Sequence, residues 1–132
     1  MDVLTFRLEG TPYALPLAAV AEVVAAPAVR RVPAGPAGVL GVTEAGGRVV
    51  AVLDLAFLLD EPAAASTPAH LVRLAPPHER SALAVGPHVR TGRGTPVPGR
   101  DTGPGAAGHV LVAGVPHILL DPALLLKRAA GA

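Results

Sequence analysis

Val39-Leu40-Gly41-Val42-Thr43, then Glu44-Ala45-Gly46-Gly47, then Arg48-Val49-Val50-Ala51-Val52-Leu53-Asp54 is the stretch that decides the fold. Two runs rich in β-branched residues flank a short segment that ends in paired glycines, and such a pair supplies the positive φ values a tight hairpin turn demands. The stretch therefore reads as a hairpin. Residues 55–59 follow as a brief apolar turn or helix, and the Asp54 carboxylate is placed to cap its first amides.

Working outward toward the N-terminus, Leu4, Phe6 and Leu8 alternate with Thr5, Arg7 and Glu9, the period-two pattern of a strand with one buried face. Tyr13, Leu15 and Leu17 resume that pattern after a turn through Gly10, so a second hairpin is expected. Leu17, Val20 and Val24 share one helical face, which predicts a short helix over 17–24 that ends before Pro27. Residues 29–32 read as a short strand closed by Pro33 and a turn region at 35–38, and residues 60–68 as a linker.

Toward the C-terminus the chain predicts strands at 70–74, 81–86, 109–112 and 115–120. Asp121 followed by Pro122 is a start signal for a helix over 123–128. Residues 91–108, mostly Gly, Pro, Thr and Ala, predict a flexible loop without regular structure. Strand, Asp, then a Leu-rich turn occurs at 52–59 and again at 119–126, an echo that suggests two related small barrels.

Composition narrows the function classes. Fifteen Gly and fifteen Pro in 132 residues punctuate the chain too often for long helices, and the apolar content is almost wholly aliphatic. A formal charge of +1 offers no concentrated basic field for nucleic acid, and Arg90, Arg93 and Arg100 have no aromatic neighbour for base stacking. The absence of cysteine excludes disulfides, Cys-ligated zinc and thiol catalysis. Asp2, Arg7 and Glu9 interrupt any leader-like start. The most apolar region, 14–29, is broken by Pro16, Glu22 and Pro27, so neither secretion nor direct membrane insertion is expected, and the cytoplasm is the default compartment.

No catalytic or metal-binding constellation emerges. His70, His78, His88, His109 and His117 fall in no ligand spacing, and Ser66 and Ser81 sit in no nucleophile elbow. Asp54 and Asp121 read as helix caps rather than an acid and base pair. No cofactor, metal or enzymatic activity is expected, and the residues alone lead to a small β-rich binding domain.

Beyond that point the sequence resembles a family. Phe6-Arg7-Leu8, Tyr13-Ala14-Leu15-Pro16-Leu17, Val20-Ala21-Glu22-Val23, Val32-Pro33, Gly41-Val42 and Gly47-Arg48-Val49-Val50-Ala51-Val52-Leu53-Asp54-Leu55 are similar, in order and spacing, to CheW-like domains. The resemblance implies a mainly β fold of two five-stranded, SH3-like barrels packed together with short helices. Within one domain over 1–132, the first barrel is expected at 13–60 and the second at 69–120, with the N-terminal strand available to both. It also implies a non-catalytic adaptor that couples the signalling tip of a chemoreceptor to the regulatory domain of a CheA-type histidine kinase in bacterial chemotaxis. The alternatives are a divergent member serving receptors or another pathway without the kinase, and a generic SH3-like protein-binding module. Val20, Glu22, Val23, Gly41, Val42 and Gly46 are the implied partner-binding residues.

The sequence departs from the family pattern in several places, among them Glu44-Ala45-Gly46-Gly47 where the family has Asn-Leu-Arg-Gly, and residues 91–108 in place of patterned strand sequence. Ala51 replaces a proline, Gly86 an aspartate, and Gly46 an arginine tied to partner contacts. Either the turn requires positive φ at Gly46, or the arginine contact is no longer needed; the sequence favours the second cause, because relatives carry arginine in a similar hairpin.

Overall fold

The computed structural model describes residues 1–25, 28–31, 37–61, 68–98 and 103–131. Strands β1 (Asp2–Leu8), β2 (Thr11–Pro16), β8 (Arg90–Val97), β9 (Ala106–Val112) and β10 (Val115–Leu120) form a closed barrel in the order β1-β2-β10-β9-β8. Strands β3 (Val20–Ala25), β4 (Val39–Ala45), β5 (Arg48–Leu53), β6 (His70–Leu74) and β7 (Ser81–Val85) form a second five-stranded sheet in the order β3-β6-β7-β5-β4. Helix α1 (Leu55–Leu58) follows β5, and α2 (Pro122–Gly131) follows β10. The mainly β architecture of two five-stranded, SH3-like units with short helices is the one expected.

The division of the chain between the units is not. Sheet membership alternates along the chain: β1 and β2 pair with the C-terminal strands, while everything from β3 to β7 belongs to the other unit. The expected barrels at 13–60 and 69–120 are therefore corrected, and among the described residues β1 pairs with β2 and β8 alone, so it is not shared. The pairings responsible, β1 with β8 and β2 with β10, join residues too far apart for local pattern to reveal.

Residues 91–108 are corrected as well. Instead of a structureless loop, β8 runs antiparallel to β1 and β9, and β9 begins at Ala106. Gly92 and Gly94 occupy the inward positions of β8, where a Cβ would stand 3.2 Å from Val112 and Val110 respectively. They read as flexibility, but they serve close packing, and without inward side chains the alternation of the strand is invisible. Residues 99–102 of the expected loop, and 62–67 of the expected linker, lie outside the described residues, as do Pro27 and the segment 32–36. Of the expected strand at 29–32, the described residues 29–31 make one antiparallel bridge, between Arg30 and Val42, and residue 32 lies outside the described residues.

A third correction concerns 17–24, where Leu17–Ala19 is one 3-10 turn and β3 follows at once. Val20, Val23 and Val24 find cross-strand partners on β6, and this pairing overrides the helical spacing. Both expected Asp caps are present: Phe57 N donates to Asp54 Oδ1 at 3.2 Å, and Ala123 N donates to Asp121 Oδ1 at 2.9 Å.

The echo between halves extends through the whole fold. Hairpin β4–β5 and hairpin β9–β10 match in register at a constant offset of 67 residues, as from Asp54 to Asp121. Gly41 pairs Val52 as Gly108 pairs Leu119, and each ladder skips one residue, Leu40 or Ala107. Asp54 N donates to Gly38 O at 2.9 Å and Asp121 N to Gly105 O at 2.8 Å. Hairpins β1–β2 and β6–β7 match at an offset of 68 residues, as from Leu15 to Leu83. The two units are thus duplicates with interleaved strands.

Three apolar clusters follow from this. Val3, Ala14 and Val110 fill the closed barrel, Val50, Val52, Leu71 and Ala82 fill the second unit, and the largest cluster lies between them. That central core takes Leu4, Phe6 and Leu120 from one unit and Leu53, Leu74 and Leu83 from the other.

Tyr13, the only tyrosine, stacks on Phe6 within this core with ring centroids 6.0 Å apart, and its hydroxyl donates to Glu61 Oε1 at 2.7 Å. Burial first, then the Glu61 hydrogen bond and charge, hold the phenol well above its ordinary value of 10.0. A raised folded value favours the protonated form, so this contribution to stability is complete below about pH 10 and is lost as the pH rises beyond it. Phenolate absorbance should accordingly appear only together with loss of the circular-dichroism signal. Ionisation at the ordinary pH in a still folded chain would disprove this account.

Candidate functional site

The six residues singled out in the sequence lie at the two ends of one sheet. Val20, Glu22 and Val23 are on β3, Gly41 and Val42 on β4, and Gly46 in the β4–β5 turn, while β3 and β4 are the terminal strands of the order β3-β6-β7-β5-β4. Among the described residues these end strands do not pair with each other. The equivalent strands of the closed barrel, β8 and β9, do. Where β9 directs Val110 and Val112 at its neighbour, β4 carries the smaller Thr43 and Ala45 at the equivalent positions. A cavity of about 670 Å³ results, lined by Val24, Ala25, Val42, Ala45 and Leu71 among others.

Exposure separates the six. Val23 is 39% exposed, an unusual place for a valine beside a charged pair. Its neighbour Glu22 accepts from Arg73 Nε at 2.8 Å, a bridge from β3 to β6 that holds both side chains at the rim. Val20 packs partly against the central core, so it anchors β3 more than it offers a surface. Val42 lines the cavity, and its backbone exchanges two hydrogen bonds of 2.8 Å with Arg30. Gly41 is buried beneath that crossing chain, with no side chain to present.

Gly46 has φ +59° and Gly47 φ +76°, so the two-residue turn takes the positive values at both positions. Of the two causes for the missing arginine, backbone demand is the one the structure supports, against the sequence reading; an arginine forced into this turn would cost about 1 kcal/mol. A guanidinium is nonetheless nearby. That of Arg73 reaches within 3.8 Å of where a Gly46 Cβ would be. Sequence reasoning missed Arg73 because it lies on β6, distant in the chain, and only the β3–β6 register brings it beside Glu22.

The histidines form no centre. His70 Nδ1 lies 3.1 Å from Gly86 O and His117 Nδ1 lies 2.8 Å from Val115 O, roles satisfied by backbone carbonyls. Among the described residues no three His, Cys, Asp or Glu side chains converge as metal ligands. No described helix is long and apolar enough to cross a membrane.

Comparison with known proteins agrees with the geometry. A family model described as the CheW-like domain matches residues 2–130. The fold is similar to the crystal structure of the scaffolding protein TtCheW from Thermoanaerobacter tengcongensis, with a TM-score of 0.81 over 96% of this chain and 92% of that chain, at 18% identity. No curated protein matches the sequence.

Proposed function

The chain belongs to the CheW-like family of chemotaxis scaffolds, and from that premise we propose that it is a non-catalytic cytoplasmic adaptor coupling a chemoreceptor signalling tip to the regulatory domain of a CheA-type histidine kinase. The observation that carries this reading is Val23, an exposed apolar side chain on a terminal strand, one register step from the Glu22–Arg73 pair. An apolar side chain left exposed on a strand that also carries charged positions offers the modest apolar contact a reversible protein interface uses. Coupling then needs no chemistry. Two surfaces on one rigid body hold two partners at a fixed separation and angle.

The kinase arm rests on the β4–β5 turn. Gly46 removes the arginine that the family places there, while Arg73, fixed by Glu22, returns a guanidinium to the same neighbourhood from β6. A charged donor so positioned can make charge-assisted hydrogen bonds to a partner carboxylate.

Parallel pull-downs against receptor-tip and kinase regulatory-domain fragments test both arms. Val23→Asp places a charge in the apolar contact and should weaken receptor capture by roughly tenfold or more, with circular dichroism unchanged. Undiminished capture by a folded variant would move the receptor surface elsewhere. Receptor capture without kinase capture would make the chain a receptor-side adaptor alone.

A further inference from the structure

The internal duplication creates a face that the adaptor reading does not use. Helices α1 and α2 occupy equivalent places in the two units and pack together, with Arg128 Nε donating to Leu58 O at 2.8 Å. Phe57 and Leu124 are equivalent at the offset of 67 residues. Both are exposed, at 45% and 40%, and both line the groove of about 510 Å³ between the helices. Phe57 is one of only three aromatic residues in the chain, and it is spent on the surface. Burial of the opposite faces, Leu58 and Leu125, is complete, so the exposed pair is not a frayed end of the core.

We propose that this face is a self-association surface on which a second copy of the chain docks about a twofold axis lying in the plane of contact. A twofold interface must be self-complementary, residue i on j and j on i. The duplication supplies the matching apolar pair, and divergence between the copies supplies the charges. Asp60 stands at the position equivalent to Lys127, so the same site is acidic in one unit and basic in the other. Laying Phe57 of one chain over Leu124 of its partner brings Asp60 over Lys127 twice. The alternative axis stacks Phe57 on Phe57 and like charge on like. Within one chain Asp60 lies 3.6 Å from Arg128, and Lys127 makes no ion pair among the described residues, which leaves it available to a partner. The candidate receptor residues on β3 are not part of this face, so a dimer would be a bivalent adaptor.

The test needs only this chain, so its outcome is independent of whether receptor or kinase binds. Sedimentation across a concentration series should show a reversible monomer–dimer equilibrium, and Phe57→Glu or Leu124→Glu should raise the dissociation constant roughly tenfold or more while leaving the circular-dichroism spectrum intact. Lys127→Asp and Asp60→Lys should each weaken the dimer, and the double exchange should restore it. Because the chain has no cysteine, cross-linking is clean: Phe57→Cys mixed with Leu124→Cys should form a disulfide faster than either variant alone. A monomer at every concentration, a dimer indifferent to these substitutions, or preferential cross-linking of Phe57→Cys to itself would overturn the proposal.

Discussion

Gly41→Ala should destabilise the fold by about 3 kcal/mol, at the upper end of what overpacking a closed interior costs, and lower the melting temperature on the order of 10 °C. The cause is a backbone crossing. Arg30 bridges Val42 directly above Gly41, and a Cβ there would lie inside the van der Waals envelope of the Arg30 carbonyl oxygen and 2.8 Å from its carbon. This carbonyl accepts from Val42 N while Arg30 N donates to Val42 O, so it cannot rotate away as a flexible side chain would. The control is Gly86→Ala, which meets nothing within 4 Å and should change stability little. If Gly41→Ala melts with the wild type, the crossing segment is looser than drawn, and Gly41 returns to the candidate partner residues. If it melts early, its place in the family pattern is explained by chain geometry, and any effect on partner capture is indirect.

How far the sequence carried this reading depends on which residues bear the signal. The β4–β5 hairpin was legible because alternating Val and Leu and a Gly-Gly turn are local features. So were both Asp caps, since a cap acts within three residues. The strand β8 was hidden because its inward positions are glycines, whose packing role shows only when Val110 and Val112 are known to lie opposite. Partition into units failed for a related reason: the chain crosses between sheets at 17–19 and again after β7, and nothing in an apolar alternation names the strand it will pair with. For the candidate site, the exposed position of Val23 was accessible from period-two alternation once β3 is a strand, but a helical spacing shared by Leu17, Val20 and Val24 concealed it. Arg73 required the sheet register itself. The duplication was visible only as an eight-residue echo, because elsewhere the two copies keep the geometry and not the side chains.

The interleaving has an energetic consequence that Leu125→Ala would expose. Leu125 is fully buried on α2, and its Cδ2 lies 2.6 Å from where a Cβ on Gly105 would be, so no neighbour stands ready to fill the space it leaves. Truncation should cost about 2–5 kcal/mol, the range for a large-to-small change in a packed core. The shape of the transition is as informative as its midpoint. Leu125 belongs to the central cluster shared by both units, which is larger than the private interior of either. Each unit alone would keep only its small private cluster, so wild type and variant should each unfold in one transition, coincident by circular dichroism and by hydrogen exchange in β1 and in β6. Two separated transitions, with Leu125→Ala shifting only the one that reports on the closed barrel, would mean the units are independently stable. That distinction reaches function: an adaptor that works by geometry transmits a fixed angle between its partners only if its two halves cannot move or melt apart. The shared core, and not the strength of either barrel, would set that rigidity.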